Sequence, residues 1–226
     1  MKTDTLSHKV VLITGGSSGI GKAIGDYLNQ QNFKVYGTSR NSTGKSSNFN
    51  LIDLDVTDED SIFKAVKFVL EKEKRIDVLI NNAGLLHKDE LGELDAGNIR
   101  AQFEVNALAP LRVTEALLKN LTGGSKVALI TSRMGSIGDN GSGSRYGYRM
   151  SKAALNAAGK SLALDLKDKG ISVVLLHPGF VQTEMVNHAG DIPPETAAER
   201  LMQRIEELNL DTTGQFFHSN GESLPW

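Results

Sequence analysis

An apolar run at Val10–Thr14 passes directly into Gly15-Gly16-Ser17-Ser18-Gly19-Ile20-Gly21, and Lys22-Ala23-Ile24 then opens a helical pattern. Strand, glycine turn and helix in that order belong to a chain that crosses from a sheet to a covering helix at the strand's carboxyl end. The alternation then repeats. Short apolar runs recur at Lys34–Thr38, Asn50–Leu54, Asp77–Asn81, Lys126–Ser132, Ser172–His177 and Gln215–His218. Between most of them apolar residues fall at three- and four-residue spacing, as in Ile62, Ala65, Val66, Val69, Leu70 and in Ala154, Leu155, Ala158, Leu162. Runs without polar alternation read as strands buried on both faces, and the wider spacing reads as helices with one apolar face. Right-handed crossovers between them give an α/β fold, a seven-stranded, doubly wound parallel sheet with helices on both faces. Neither a linker nor an internal repeat interrupts the pattern, so 1–226 is read as one domain.

Composition narrows the function classes. A net charge of -2 without a Lys/Arg block gives no footprint for nucleic acid, which leaves a small-molecule partner. Cysteine is absent, which excludes disulfides, thiolate metal sites and a thiol nucleophile. The histidines His8, His87, His177, His188 and His218 show no metal-site spacing, so no metal is expected; His87 and His188 either line a substrate mouth or lie on the surface. The charge run Glu71–Arg75 reads as a solvated helix end. Met1-Lys2 and the run Val10–Ile13 are too short for an export segment, and no apolar stretch approaches the roughly 20 residues that span a bilayer. No membrane partner and a cytoplasmic location are therefore expected.

The glycine turn brings backbone N–H groups and the positive end of a helix to one point, where a pyrophosphate can sit without a Cβ in the way. The second strand ends Gly37-Thr38-Ser39-Arg40, with no acid to accept a ribose 2′-OH. Arg40 is either a partner for a 2′-phosphate, which predicts NADP(H) preferred over NAD(H), or a surface arginine. Tyr148 and Lys152 stand four apart at the start of a helical pattern, so they share a face. A phenol titrates near pKa 10 in water, and a neighbouring ammonium favours phenolate. Ser132 ends the fifth strand, where the crevice lies; Thr131 is its rival, and alternation allows only one to face the crevice. Asn106 lies in a helical segment from about Asp95 to Leu121, four residues before Pro110. Proline has no N–H, so the Asn106 carbonyl loses its helical donor and the helix should kink.

The T-G-x-x-x-G-x-G spacing resembles the short-chain dehydrogenase/reductase family, a Rossmann-type fold. Asn81-Asn82-Ala83-Gly84, Asn106, Ser132, Tyr148-Arg149-Met150-Ser151-Lys152 and Pro178-Gly179-Phe180-Val181-Gln182-Thr183 match its further motifs in order over nearly the whole chain. The resemblance implies an NADP-dependent oxidoreductase of carbonyl reductase type, which moves a hydride between NADPH and a carbonyl or alcohol substrate. Tyr148 would be its acid/base, with Ser132 on the carbonyl oxygen and Lys152 and Asn106 in a proton relay. It assigns cofactor contacts to Gly15, Ser17, Ser18, Gly19, Ile20, Gly21, Arg40, Asp55, Val56, Asn82, Ala83, Gly84, Tyr148, Lys152, Pro178, Gly179, Val181 and Thr183. Asp55 either accepts the adenine amino group or caps the helix near Thr57. Relatives pair through the two long helices equivalent to Asp95–Leu121 and Tyr148–Lys167, which implies a homodimer. Sixteen positions separate Ser132 from Tyr148, somewhat more than the family pattern, and Gly135–Ser144 is expected to absorb the excess as a loop. A lid at Met185–Glu195 and one helix near Ala197–Leu208 are short for the family and imply an open pocket. That short lid, Ser132–Ser136 and the end from Gly214 to Trp226 resemble a C-factor-like branch, which includes carbonyl reductases and a signalling protein. A signalling or interaction role that keeps the dinucleotide site is therefore the alternative, although the intact Ser132, Tyr148, Lys152 and Asn106 favour an enzyme.

Overall fold

Seven parallel strands, all buried in their central part, carry the structure: β1 Val10–Ile13, β2 Lys34–Ser39, β3 Asn50–Asp53, β4 Ile76–Asn81, β5 Leu121–Ile130, β6 Ser172–His177 and β7 Gln215–His218. They lie in the order β3-β2-β1-β4-β5-β6-β7. The computed structural model describes residues 9–226; His8 and Met1-Lys2 of the export reading lie outside them. Alternate strand residues feed two cores because successive side chains point to opposite faces. Val11, Ile13, Val78, Ile80, Val174 and Leu176 pack with Ile24, Leu28, Leu201 and Ile205 of α1 (Gly19–Gln30) and α6 (Pro194–Glu207). Leu12, Leu79, Val127, Leu129, Val173 and Leu175 face the other way. There they meet Ile62 and Val66 of α2 (Glu59–Leu70), Val113 of α4 (Ala109–Ala116) and Leu155 and Leu166 of α5 (Tyr146–Lys167). Among the described residues no helix is long and apolar enough to cross a membrane.

Three expectations need correction. The segment Asp95–Leu121 is not one helix. It runs as α3 (Ala96–Phe103), a π-helical turn Glu104–Leu108 and α4, and Leu121 already belongs to β5. The Ala109 amide reaches back five residues to the Glu104 carbonyl, so the missing N–H of Pro110 is accommodated by widening a turn rather than by a simple kink. The strand placed at Lys126–Ser132 is Leu121–Ile130, which puts Ser132 just beyond it in extended backbone as the cap of a short 3₁₀ turn, Arg133–Gly135. The lid is also shorter than read, because α6 begins at Pro194.

Chain order along β1, β2 and β3 moves one way across the sheet and β4 to β7 the other. The switch between β1 and β4 opens a crevice at the strands' carboxyl ends. The loop after β2 returns over α1 and is seated by Phe49, whose ring fills the space that side chains at Gly25 of α1 and Gly37 of β2 would need. Phe49→Ala is expected to cost about 3 kcal/mol, since the two glycines cannot close the void. A urea unfolding midpoint that falls at unchanged slope checks it.

Candidate active site

The glycine turn is tied to the neighbouring strand end. The Thr14 hydroxyl, 2% exposed, accepts from the amides of Asn82 and Ala83, both at 3.0 Å. The Asn82 side-chain amide donates to the carbonyls of Thr14 at 3.0 Å and Gly15 at 3.2 Å. Gly15 and Gly19 take φ values of +68° and +52°, which L side chains rarely adopt, and a Cβ on Gly21 would collide with the Gly15 carbonyl. Ser18 stands before α1 in extended backbone, its side chain makes no capping bond, and the first helical turn carries no acid. First-turn amides without a side-chain cap and without a competing carboxylate suit an anion. Opposite them, Thr183 comes within 3.3 Å of where a Cβ on Gly19 would be, so the segment from Pro178 meets the glycine turn across the crevice.

At the other end of the crevice the structure supplies a cation that sequence reading missed. Lys45 Nζ donates to Ser39 Oγ at 2.7 Å and Ser17 Oγ at 3.2 Å, bridging the end of β2 to the glycine turn beside exposed Arg40. No spacing rule finds a lysine five residues beyond Arg40, because the loop seated by Phe49 brings it back. Asp55 is not the cap of α2; Asp58 is, through the Asp60 amide. Asp55 Oδ1 instead accepts from the Thr57 amide at 2.9 Å and its hydroxyl at 2.7 Å. Those bonds hold its carboxyl below the ordinary range, with Arg40 adding to them against desolvation. Val56 is buried in the core.

The acid/base cluster gathers at the carboxyl end of β5. Thr131 is used inside the fold, donating to Asn156 Oδ1 at 2.6 Å, which leaves Ser132 for the crevice. Ser132 Oγ accepts the Met134 amide at 3.1 Å, so its own proton is free to be donated elsewhere. Lys152, 4% exposed, donates from Nζ to the Ile130 carbonyl at 2.8 Å and lies 5.8 Å from the centre of the Tyr148 ring. Burial lowers its ammonium to about 8. Burial also raises the Tyr148 phenol above its ordinary value, against smaller lowering influences of the Ser132 hydroxyl and Arg145. In the ligand-free protein, desolvation outweighs the neighbouring groups.

Asn106, fully buried in the π-helical turn, acts through its side chain as well as standing four residues before Pro110. Its Oδ1 accepts the Leu85 amide at 2.7 Å, and its Nδ2 donates to the Leu85 carbonyl at 2.8 Å and Ser151 Oγ at 3.0 Å. Ser151 donates in turn to the Tyr148 carbonyl at 2.8 Å. Asn106 therefore joins the irregular segment following Asn82-Ala83-Gly84 to the helix that carries Tyr148. Gly84 lies against it, 3.5 Å from Asn106 Oδ1 for a Cβ built there, with Met185 of the lid close on the same side. Arg149 braces the Gly135–Ser144 loop, donating to the carbonyls of Gly143, Ser144 and Met134 and to Ser142 Oγ.

Residues 9–192 match the family model described as short chain dehydrogenase. The chain is similar to 1-hydroxy-2-glutathionyl-2-methyl-3-butene dehydrogenase of Rhodococcus sp. (strain AD45), with 44% identity over 76% of this chain and 78% of that one. It is similar to the C-signal protein of Myxococcus xanthus, with 45% identity over 67% of this chain and 93% of that one. Among solved structures, an NADPH-bound carbonyl reductase from chicken fatty liver superposes with a TM-score of 0.91 at 27% identity, covering 96% of this chain and 99% of that one.

The lysine's burial has a consequence for stability. Its folded pKa of about 8 lies below the unfolded value of 10.5, so the cost of burying the charge is complete below about pH 8 and is relieved as pH rises from there to 10.5. Lys152→Met is expected to stabilise the ligand-free protein by roughly 2 kcal/mol at pH 7, after allowance for the lost bond to Ile130. Thermal unfolding at pH 7 and pH 10 should show that advantage shrinking at the higher pH.

Proposed function

Because the chain belongs to the short-chain dehydrogenase family, we propose that it is a carbonyl reductase that works with NADPH on a small carbonyl or alcohol substrate, with Tyr148 as the acid/base. The observation that carries this reading is the meeting of Ser132, Tyr148 and the buried Lys152 at the carboxyl end of β5, in the same sheet whose first strand ends in the glycine turn. When bound, the nicotinamide supplies or takes up the hydride. The amides of Ser17, Ser18, Gly19, Ile20 and Gly21, with Gly15 shaping the turn, hold the pyrophosphate. Arg40 and Lys45 take the 2′-phosphate, and Asp55 and the Val56 amide the adenine. Asn82, Ala83 and Gly84 line the crevice wall, and Pro178, Gly179, Val181 and Thr183 close on the carboxamide.

Ser132 and Tyr148 both donate to the carbonyl oxygen, and the Tyr148 hydroxyl delivers the proton. With its pKa held above the ordinary value by burial, the Tyr148 phenol is protonated at neutral pH, the form that donates to a carbonyl oxygen in reduction. Lys152, at about 8, can exchange a proton near neutrality and restore Tyr148. Asn106 holds that helix in place through Ser151. Two copies are proposed to pair through the helical segments Ala96–Ala116 and α5, as the family does.

NADPH oxidation against a panel of aldehydes, ketones and quinones tests the reading. Tyr148→Phe is expected to lose about a hundredfold to ten-thousandfold in turnover with little change in NADPH affinity. Tight NADPH binding without Tyr148-dependent turnover on any of them would favour the signalling alternative. For the cofactor, Arg40→Glu and Lys45→Ala are each expected to weaken NADPH binding about tenfold or more while leaving NADH binding nearly unchanged. Equal weakening for both dinucleotides, read by fluorescence titration, would overturn the 2′-phosphate assignment.

A further inference from the structure

The helix that carries Tyr148 starts badly on its own. Arg145 at its N-cap position has left-handed backbone, φ 53° and ψ 45°, and makes no side-chain capping bond, and Ser144 before it has φ 50°. The local chain therefore offers nothing to the first-turn amides, which every helix leaves without an internal partner. The partner comes from 58 residues away. Asp89, on the segment after β4, accepts the Gly147 amide on Oδ2 at 3.0 Å, and its main-chain carbonyl accepts the Arg145 amide at 2.9 Å. Its flanking residues Lys88 and Glu90 are exposed, yet Asp89 itself is 3% exposed. Gln102 of α3, fully buried, lies against the same oxygen at 3.5 Å while its Oε1 accepts the His87 amide at 3.0 Å. A carboxylate buried at this place is stabilised by the positive end of the helix. The fit is close: a Cβ on Gly147 would lie 2.5 Å from Gln102 Nε2 and 3.1 Å from Ile99 Cα.

We propose that Asp89, backed by Gln102, is a positioning residue for the reaction: it caps the catalytic helix from outside and holds the Gly147–Tyr148 turn at the distance from Ser132 that proton delivery requires. Asn106 and Ser151 fix the same turn through the Tyr148 carbonyl, so the tyrosine is held from both ends of its backbone. Asp89 touches neither Lys152 nor the glycine turn in any bond of the structure, so its loss should move the phenol and spare the cofactor. The inference rests on the reading of Tyr148 as the acid/base.

The test compares Asp89→Ala, Asp89→Asn and Gly147→Ala in the full-length chain. Asp89→Ala is expected to lower kcat by about tenfold or more, the scale of a lost cap with a buried amide left unbonded, while the NADPH dissociation constant stays within about twofold. Asp89→Asn keeps an acceptor for the Gly147 amide and is expected to recover most of the turnover. Gly147→Ala improves intrinsic helix propensity, so a fall in kcat there reads displacement of α5 from α3 rather than loss of the helix; it also serves if Asp89→Ala does not fold. Amide hydrogen exchange at Tyr146–Arg149 in NADPH-free protein reads the cap without any substrate, and should quicken in Asp89→Ala and return toward wild type in Asp89→Asn. Wild type without turnover on the whole panel would count against the carbonyl reductase reading, and exchange would still decide the cap. Unchanged kcat and exchange in Asp89→Ala, no recovery in Asp89→Asn, or NADPH affinity lost in step with kcat would each overturn the proposal.

Discussion

The join between β1 and β4, made by the Thr14 hydroxyl and the Asn82 side chain, is the constraint on which the rest of the site depends. The strand order changes direction there, so the connections leaving the two paired strands part company and a crevice opens beyond their carboxyl ends. Four hydrogen bonds across it hold the glycine turn against the strand end that leads into Ala83-Gly84, and thereby set where an anion and a flat ring could lie. Were that join loose, the uncapped amides of α1 would have no fixed direction.

From this join the structure reaches the acid/base cluster by a chain of buried polar contacts rather than by one contact. Leu85 follows Gly84 and is gripped on both sides of its peptide by Asn106. Asn106 holds Ser151, Ser151 holds the backbone of Tyr148, and Asp89 holds the amide before it. Such networks are costly to leave half made, which favours a single arrangement of the tyrosine. The cost of the arrangement falls on Lys152, whose ammonium is buried with the Ile130 carbonyl as its protein acceptor and is correspondingly easy to deprotonate.

Much of this was legible in the chain itself. Seven strands and their order of appearance followed from runs such as Ser172–His177, because a parallel sheet covered on both faces writes itself as unbroken apolar stretches. The glycine turn was read from its place after the first strand, Tyr148 and Lys152 from four-residue spacing on one helix, and Ser132 from the end of the fifth strand together with the family resemblance. The errors lay where long-range bonds decide local geometry. Asp95–Leu121 looked like one helix because apolar spacing cannot register a π-helical turn, and β5 was started too late because Leu121 to Ser125 lacks an apolar run.

The sequence by itself determined which groups are available and roughly which edge of the sheet they occupy, since periodicity and motif spacing depend only on neighbours a few residues apart. Tertiary structure alone decided how those groups behave. How far Tyr148 is drawn toward phenolate depends on how much water surrounds it, and in the ligand-free protein burial works against that shift. Lys45 joined the site only because Phe49 folds its loop back over α1. Asp89 reached the catalytic helix across 58 residues of chain for the same reason: proximity in space, desolvation and hydrogen-bond direction are properties of the packed molecule and are not written in local order.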